Sequence, residues 1–463
     1  MNKIREWRAA LRNPAIAAMA ALFLINVASY ADRSILVVLQ ESIKKDLQLS
    51  DFQLGLLAGP AFAIFYSIMG LPIARLAERK SRKKIILVAV SAWSVFTAFC
   101  GLAQNFVQLA IFRMGVGAAE AAAPPATHSL IADYFNRSAR GRAMAVLALG
   151  IPLGLMVGGV FGGLIASAFG WRVAFIAIGL PGLLLVLLGS KIMYEADRGP
   201  GNEVANMEKL STMESIRSLL SIPVYRLLLV AAVLSGNAAH AISTFSASFF
   251  IRAHDLSLAE VGGILLTGKG LAGMAGTLTS GFVSDKLDNG RGQDYLLVPA
   301  SASLVAAGLM WLSFVTPGVT VAMLLFILAA FFANMIMSPA FAAIQNVVDP
   351  RTRATAAALF LFCVTVPGSV GPVMVGYLSD MVAAGAMNLD VAAYLSTCPG
   401  GRPAAGLAAE VAAQCAPAAT SGLRRGMTVA LLIYLASVVV YLLAVRAGRI
   451  SMRQSLATPP AKA

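Results

Sequence analysis

The sequence predicts an all-α membrane protein of twelve spanning helices. Three observations carry that prediction. Of 463 residues 58% are hydrophobic and only 13% charged, the mean hydropathy is +0.78, and long apolar stretches recur along the whole chain. Water-soluble chains carry about a quarter charged residues. A bilayer core ~30 Å thick is crossed by ~20 mostly apolar residues in a helix. A membrane barrel would show ~10-residue alternating segments instead, and none appear. Inside lipid each helix must satisfy its own backbone polar groups, so the body of the fold is helical.

Twelve stretches meet the length criterion: about 15–39, 53–74, 85–104, 107–132, 143–167, 173–193, 227–250, 259–283, 295–316, 319–347, 355–382 and 426–446. The first follows Lys3, Arg5, Arg8 and Arg12 and begins like a secretory signal. Its apolar run resumes after Asp32-Arg33 and reaches Leu39, too long for a signal's apolar core, so a retained helix is expected. The net charge of +14 would suggest a nucleic-acid partner in a soluble protein. Here 26 of the 36 Lys and Arg fall on the side of the N-terminus, counting Lys191 and Arg446 at the inner ends of their spans, 7 on the other side and 3 (Arg33, Arg113, Lys269) deep within spans. The positive-inside rule therefore places both termini in the cytoplasm and accounts for the basic character without nucleic acid. Trp171-Arg172, at the opposite face, is the expected aromatic anchor.

Two polar connectors organise the chain. Residues 194–226 divide it into a six-helix half, 1–193, and a second half, 227–463, and are expected inside. The second half contains an outer loop, 384–425, with Cys398 and Cys415. An oxidising exterior permits a bridge between them, and closing such a loop restricts the unfolded chain by ~3 kcal/mol in the entropy model. The alternative is two free thiols. Cys100 and Cys363 fall inside spans, as small apolar side chains. Four cysteines and three histidines supply neither a disulfide scaffold nor a metal site, and no cofactor motif is visible. The halves also echo each other: ARLAERKSRKK after the second helix against GFVSDKL after the eighth, and DYFNRSARGRAMA after the fourth against DPRTRATAAA after the tenth. Paired six-helix halves are a transporter pattern.

On these residues the chain resembles the major facilitator superfamily over nearly its whole length. The loop after the second helix is similar to that superfamily's G-x-L-x-D-R-x-G-R-K signature, with Ala74, Glu78, Arg79, Arg82 and Lys83 at matching places, Ala74 replacing Gly and Glu78 replacing Asp. Within the superfamily the N-terminal half looks most like the spinster lipid transporters. It does so through Tyr30-Ala31-Asp32-Arg33, Arg113 with Glu120-Ala121, Ile131-Ala132-Asp133 and Gly150-Ile151-Pro152-Leu153-Gly154; Ser29 and Ala119 depart from that family's usual Asn and Gly. The resemblance implies a major facilitator fold of two pseudo-symmetric halves in a cell's inner or plasma membrane; nothing in the sequence demands an oligomer, so a monomer is expected. The resemblance also implies a gating loop in which Arg82 pairs with Asp133, and Glu78, beside Arg79, faces the amino end of the eleventh helix.

Charges inside lipid cost ~2.5–3.5 kcal/mol each on insertion scales, so they are functional candidates by default. Arg113 and Glu120 lie two turns apart on one helix face, while the neighbours Asp32 and Arg33 point about 100° apart. In the resembled fold both helices line the central cavity, which gathers two acids and two arginines there. Asp32 and Glu120 are the expected proton carriers. Arg33 and Arg113 are the expected clamps for an anionic headgroup, because a guanidinium presents a planar fork to a carboxylate or phosphate. Tyr30, Lys269, His240 and Asn237 are the further expected substrate contacts; for His240 and Asn237 an interhelical hydrogen bond is the plainer role. Gly263-x4-Gly268-Lys269-Gly270 nearly spells a phosphate-binding loop, but Gly270 stands where the magnesium-binding Ser or Thr belongs and no strand precedes it. With no nucleotide-hydrolysis motif, an ion gradient must supply the energy. The resulting expectation is a proton-coupled transporter of an amphipathic anionic lipid, not an enzyme. The alternatives are a symporter of small organic anions and a multidrug exporter.

Gly150, Gly154, Gly158 and Gly162 recur every four residues in the fifth helix, a spacing that brings helix backbones together where lipid supplies no hydrophobic drive. Phe331, Phe332, Met335, Met337 and Phe341 of the tenth helix read as ordinary packing or as adaptable lining for a greasy ligand.

The orientation is directly testable. A phosphatase that is active only outside the cytoplasm should be inactive when fused after Ala463 and active when inserted after Gln48, and the reverse pattern would invert the topology.

Overall fold

A computed structural model describes residues 14–196, 212–287 and 294–457. Lys3, Arg5, Arg8, Arg12 and residues 197–211 of the connector lie outside the described residues. Among the described residues no strand occurs, and twelve helices are long and apolar enough to cross a membrane. They are α1 Pro14–Leu47, α2 Asp51–Arg79, α3 Arg82–Cys100, α4 Phe106–Tyr134, α5 Ala139–Phe169 and α6 Trp171–Ile192 in the first half of the chain. In the second half they are α7 Pro223–His254, α8 Leu258–Ser284, α9 Leu297–Val315, α10 Val319–Val347, α11 Thr355–Ala386 and α12 Ala409–Ile450.

Several spans run longer than their apolar stretches. Helix α1 continues eight residues past Leu39 to Leu47, and Gln40, Glu41 and Lys44 of that extension are buried. A hydropathy window stops at these residues because it scores them as solvated, whereas here they bond to protein. Several spans break where proline removes a backbone donor. Helix α2 kinks at Gly59 before Pro60, α6 at Leu180 before Pro181, and α11 around Pro367. Helix α8 opens with a π-helical turn, Val261–Leu266.

The chain forms two compact units. The first comprises Met1–Val204, Thr244–Gly270 and Gly376–Leu423; the second comprises Ala205–Ser243, Leu271–Val375 and Arg424–Ala463. In the first unit, a core built on Leu22, Ile25, Val90, Trp93, Val116 and Leu130 joins α1, α3 and α4. Helices α1 and α5 meet backbone to backbone. A Cβ at Gly154 would overlap the Val27 carbonyl oxygen, and one at Gly158 the Ala31 carbonyl oxygen. The amino end of α8 docks on the same helix, where a Cβ at Gly262 would overlap the Gly159 carbonyl. The second unit has its own core, with Tyr225, Leu228, Phe360 and Tyr441 fully buried. There Gly276 of α8 lies against Phe331 of α10 and Gly236 of α7 against Val364 of α11.

The expected loop 384–425 is shorter: α11 runs to Ala386, and a continuous helix begins at Cys415, whose polar first turns the apolar window missed. The connection contains a helix, Val391–Thr397, and a disulfide joins Cys398 to Cys415 with Cα atoms 5.6 Å apart. Trp171 is not the membrane-interface anchor expected from its position. It is buried, its indole N–H donates to Asp46 at 3.1 Å, and Arg172 stacks on its ring while pairing with the same carboxylate. The indole meets the carboxylate at the end of α1, so it is turned inward.

Close approach makes Gly158 a sensitive position. Gly158→Ala must push α1 from α5 and should lower stability by ~1–3 kcal/mol, the usual range for overpacking. Gly281→Ala, with nothing within 4 Å of its added carbon, should be neutral. Thermal unfolding of the two variants in one detergent checks the contrast.

Candidate substrate and coupling site

Helices α1, α2 and α4 of the first unit bring four charged side chains together. Arg33 donates from Nε to Glu120 Oε2 at 2.7 Å, and its Nη2 lies 2.7 Å from the same oxygen. Ser29, one turn before Arg33, donates its hydroxyl to that oxygen at 3.1 Å. Beside this pair, Arg113 Nη1 stands 3.7 Å from Asp32 Oδ2, beyond hydrogen-bond range. The two pairs run crosswise, α1 Arg to α4 Glu and α1 Asp to α4 Arg. The spacing permits this because Asp32 and Arg33 leave α1 in different directions while Arg113 and Glu120 share one face of α4.

The pairs differ in quality. Asp32 and Arg113 side chains are each 3% exposed, and both Asp32 oxygens and Arg113 Nε and Nη1 lack a hydrogen-bond partner among the described residues. Glu120 Oε1 is likewise unbonded, while Oε2 takes three contacts. Leaving buried polar atoms unsatisfied costs about 1–3 kcal/mol each, more for charged groups. Native proteins leave few buried polar atoms in this state, which singles the cluster out. The net formal charge of the quartet is zero, which is what makes it tolerable in an apolar surround.

Aromatic faces complete the site. The Arg33 guanidinium lies 4.7 Å from the Phe62 ring centroid and 4.9 Å from those of Tyr30 and Tyr66. Arg113 lies 5.4 Å from the Phe62 centroid. Phe62 and Tyr66 stack on each other at 5.5 Å. A cation against aromatic faces is attracted by the ring quadrupole, by ~2 kcal/mol or more where water is excluded. Tyr30 is legible beside Asp32-Arg33 in the sequence, whereas Phe62 and Tyr66 were missed. Their signal is the four-residue spacing that places both on one face of α2. Arg33 remains 26% exposed, so part of the fork is open to a ligand.

The other expected contacts fall elsewhere. Lys269 is half-buried in α8, one turn after the π-helical segment. In the second unit Asn237 donates to the Pro367 carbonyl across to α11 at 3.4 Å, while His240 bonds within its own helix to the Gly236 carbonyl at 2.8 Å. The tenth-helix aromatics split in the same unit: Phe331 and Phe332 stack edge to face beside Met335, and Phe341 meets the buried Phe360.

At the end of α2, Glu78 and Arg79 stand exposed. Arg82 is 1% exposed and reaches both Asp133 and Glu195, with further bonds to Ser129 at 3.1 Å and the Ala196 carbonyl at 2.5 Å. Glu195 was not foreseen. It accepts from Ser81 at 2.6 Å and from the Lys83 amide at 3.0 Å, pinning the start of the connector to the signature loop. Burial pushes its carboxyl up, but the bonds from Ser81, Arg82 and Lys83 outweigh that and hold it below the ordinary carboxylate range. A lowered folded-state pKa adds stability that is present above the unfolded value, ~4.3, and lost as pH falls through the folded value. Glu195→Gln should therefore melt lower than the native protein at neutral pH, with the gap closing in acid. A gap unchanged by pH would mean that shape rather than charge holds the connector.

Twelve helices long and apolar enough to span a bilayer, with a buried, net-neutral charge cluster in the first unit, are the features of an integral membrane protein. The Major Facilitator Superfamily model matches residues 22–372, and the chain belongs to that family. Among similar proteins is an MFS-type efflux pump of Mycolicibacterium smegmatis, 34% identical over 79% of this chain and 84% of its own. The hexuronate transporter of Bacillus subtilis is 27% identical over 78% of this chain and 86% of its own. Of solved structures, a bacterial homolog to the human lysosomal transporter Spinster, inward-facing and unoccupied, superposes with a TM-score of 0.85. It is 28% identical and covers 95% of this chain and 98% of that one. The fold is that of a spinster-like major facilitator transporter, and the protein is a transporter rather than an enzyme.

Proposed function

We propose that the protein moves an organic anion together with a proton by alternating access, and that the anion is the head of an amphipathic lipid. The carrying observation is the charge balance of Asp32, Arg33, Arg113 and Glu120, two acids and two arginines with no surplus. An anion entering alone would leave the buried cluster negative by one. A proton arriving on one acid restores neutrality, so the two cargoes are favoured together. Asp32 is the first acid to take it, because its pair with Arg113 is the loose one; Glu120 follows. The freed arginine then faces substrate, and Arg33, framed by Tyr30, Phe62 and Tyr66, offers a fork for the charge and aromatic faces for an apolar body. The likeness to the Spinster homolog supports the lipid. In this reading Lys269 adds a second cation for the headgroup, and Asn237 and His240 serve in the second unit. Glu78, Arg79, Arg82 and Asp133 form the cytoplasmic gate, and both termini face the cytoplasm of a cell-membrane monomer.

A second reading, symport of a small sugar acid, is supported by the hexuronate transporter relative and by the same rings, which suit the flat face of a sugar. The efflux-pump relative favours export over uptake. Thermal shift separates the substrates, since a ligand at ~100 times its Kd adds ~2.7 kcal/mol. Lysophospholipids and sphingoid phosphates should stabilise the protein and hexuronates should not.

Transport separates the roles. In proteoliposomes Asp32→Asn should exchange substrate down its own gradient but fail to accumulate it against an imposed pH gradient. Accumulation with unaltered pH dependence would move the proton to Glu120. Arg33→Lys should weaken substrate binding about 10–150-fold, nearly as much as Arg33→Ala, because lysine lacks the fork. Full activity in Arg33→Lys would remove Arg33 from the substrate site.

A further inference from the structure

A second buried charge cluster lies in the first unit, at the end that carries Leu47. Arg252 of α7 donates from Nε and Nη2 to Glu41 Oε1 of α1, at 2.9 and 2.5 Å. The same guanidinium reaches Asp51 of α2, from Nη1 to Oδ2 at 2.8 Å and from Nη2 to Oδ1 at 2.6 Å. Lys44 of α1 also donates to Asp51 Oδ1, at 2.6 Å. From α11, Ser379 donates to Asp51 Oδ2 at 2.6 Å, and Asp380 accepts the Asp51 amide at 3.1 Å and the Phe52 amide at 2.9 Å. Glu41, Lys44, Asp51 and Asp380 are all under 5% exposed. Gln40 extends the contact, donating to the Thr244 carbonyl and to Ser248 of α7.

Three carboxylates share two cations. Arg252 is committed to Glu41 and Asp51, and Lys44 to Asp51. Asp380 is the surplus anion, held by two backbone amides and by no ion pair among the described residues. A buried surplus charge is relieved most simply by a proton. The groups facing it are Asp51 with the Phe52 amide from α2, Lys44 and Glu41 from α1, Arg252 from α7, and Tyr394 from the loop helix. The segments that carry Arg252 and Asp380 are the ends of helices whose remaining residues belong to the second unit. The cluster is thus a clasp between those ends and α1–α2. Backbones touch as well, since a Cβ at Gly376 would overlap the Asp51 carbonyl.

We infer that Asp380 is a proton-operated latch on this clasp: charged, it holds α11 to the amino end of α2, and protonated, it lets the helix ends part. Protonation replaces two charge-assisted amide bonds with weaker neutral ones and leaves the Arg252 pairs intact. Resting on the alternating-access reading above, the latch is a second proton-responsive site, separate from Asp32.

The test follows helix separation and needs no substrate. Spin labels are placed at the exposed Lys45 and Ala386 of the full chain in lipid nanodiscs, with Cys100→Ser and Cys363→Ser and the disulfide kept. Distances are measured at about pH 8 and about pH 5. The native protein should gain a longer-distance population several-fold on acidification. Asp380→Asn should show the acid distribution at both pH values, and Asp380→Glu should keep the response. Gly376→Leu, which wedges the clasp apart sterically, should read long at both. A pH-independent distribution in the native protein overturns the latch, and this holds even if Asp380→Asn does not fold. So does Asp380→Asn following the native profile, or a response that moves instead with Glu41→Gln or Asp51→Asn. Asp32→Asn should leave the response in place. A response lost there and kept in Asp380→Asn overturns the latch but not the central proton site, whereas failure of the central assignment in transport leaves this measurement standing.

Discussion

Charge neutrality in an apolar surround is the constraint on which the rest of the structure depends. Four ionisable groups meet on α1 and α4, three of them buried, and each would be costly as an unpaired charge. Crossed pairing of Asp32 with Arg113 and of Arg33 with Glu120 requires the two helices to stay in a fixed register. The glycine face of α5 serves that register, because Gly154 and Gly158 seat directly on the α1 backbone at Val27 and Ala31, one turn from Asp32. The backbone of α2 approaches α4 in the same manner, with Phe62 against Gly117, and this places the Phe62 ring over both arginines.

The unequal bonding of the two pairs gives the cluster a direction. Arg33 and Glu120 are joined by short contacts on one oxygen and backed by Ser29, so that pair resists exchange. Asp32 and Arg113 sit too far apart for a hydrogen bond and carry most of the unbonded atoms of the cluster. A proton added to Asp32 breaks little, whereas one added to Glu120 Oε2 would disturb three contacts. The same asymmetry separates a group that can change state from a group that holds position.

Much of this was legible in the sequence, because lipid makes composition informative. A charged residue within an apolar stretch stands out, and Asp32, Arg33, Arg113 and Glu120 were found for that reason. The second cluster was not found, because Glu41, Lys44, Asp51 and Arg252 lie just beyond the apolar runs and Asp380 two residues from the end of one, where charge reads as a solvated boundary. Their partners come from helices far apart in sequence, and hydropathy carries no pairing information. One signal was available: Gly376-Tyr-Leu-Ser379-Asp380 repeats the pattern of Gly281-Phe-Val-Ser-Asp285, the segment already recognised as an echo of the signature loop. Trp171 shows the converse error, since an aromatic at a span boundary reads as a lipid anchor until a carboxylate on α1 is seen bonded to it.

Helix α1 connects the two clusters mechanically. From Ala15 to Leu47 it contains neither glycine nor proline, and it runs as one unbroken helix. Arg33, Gln40 and Lys44 are spaced by seven and four residues, so all three share one face, with Arg33 and Lys44 ~16 Å apart along the axis. A stiff rod of that length passes small rotations on as displacements: a tilt of ~5° about Arg33 moves the Lys44 end by ~1.4 Å. The Lys44–Asp51 contact is 2.6 Å, and a displacement of that size takes it past the ~3.2 Å limit of a good hydrogen bond. A tilt of α1 at the first cluster therefore need not be large to be felt at Glu41 and Lys44, and loosening of the clasp equally frees α1 to tilt. The two buried charge clusters lie on the same rigid helix, so a displacement of α1 at one of them is carried along its axis to the other.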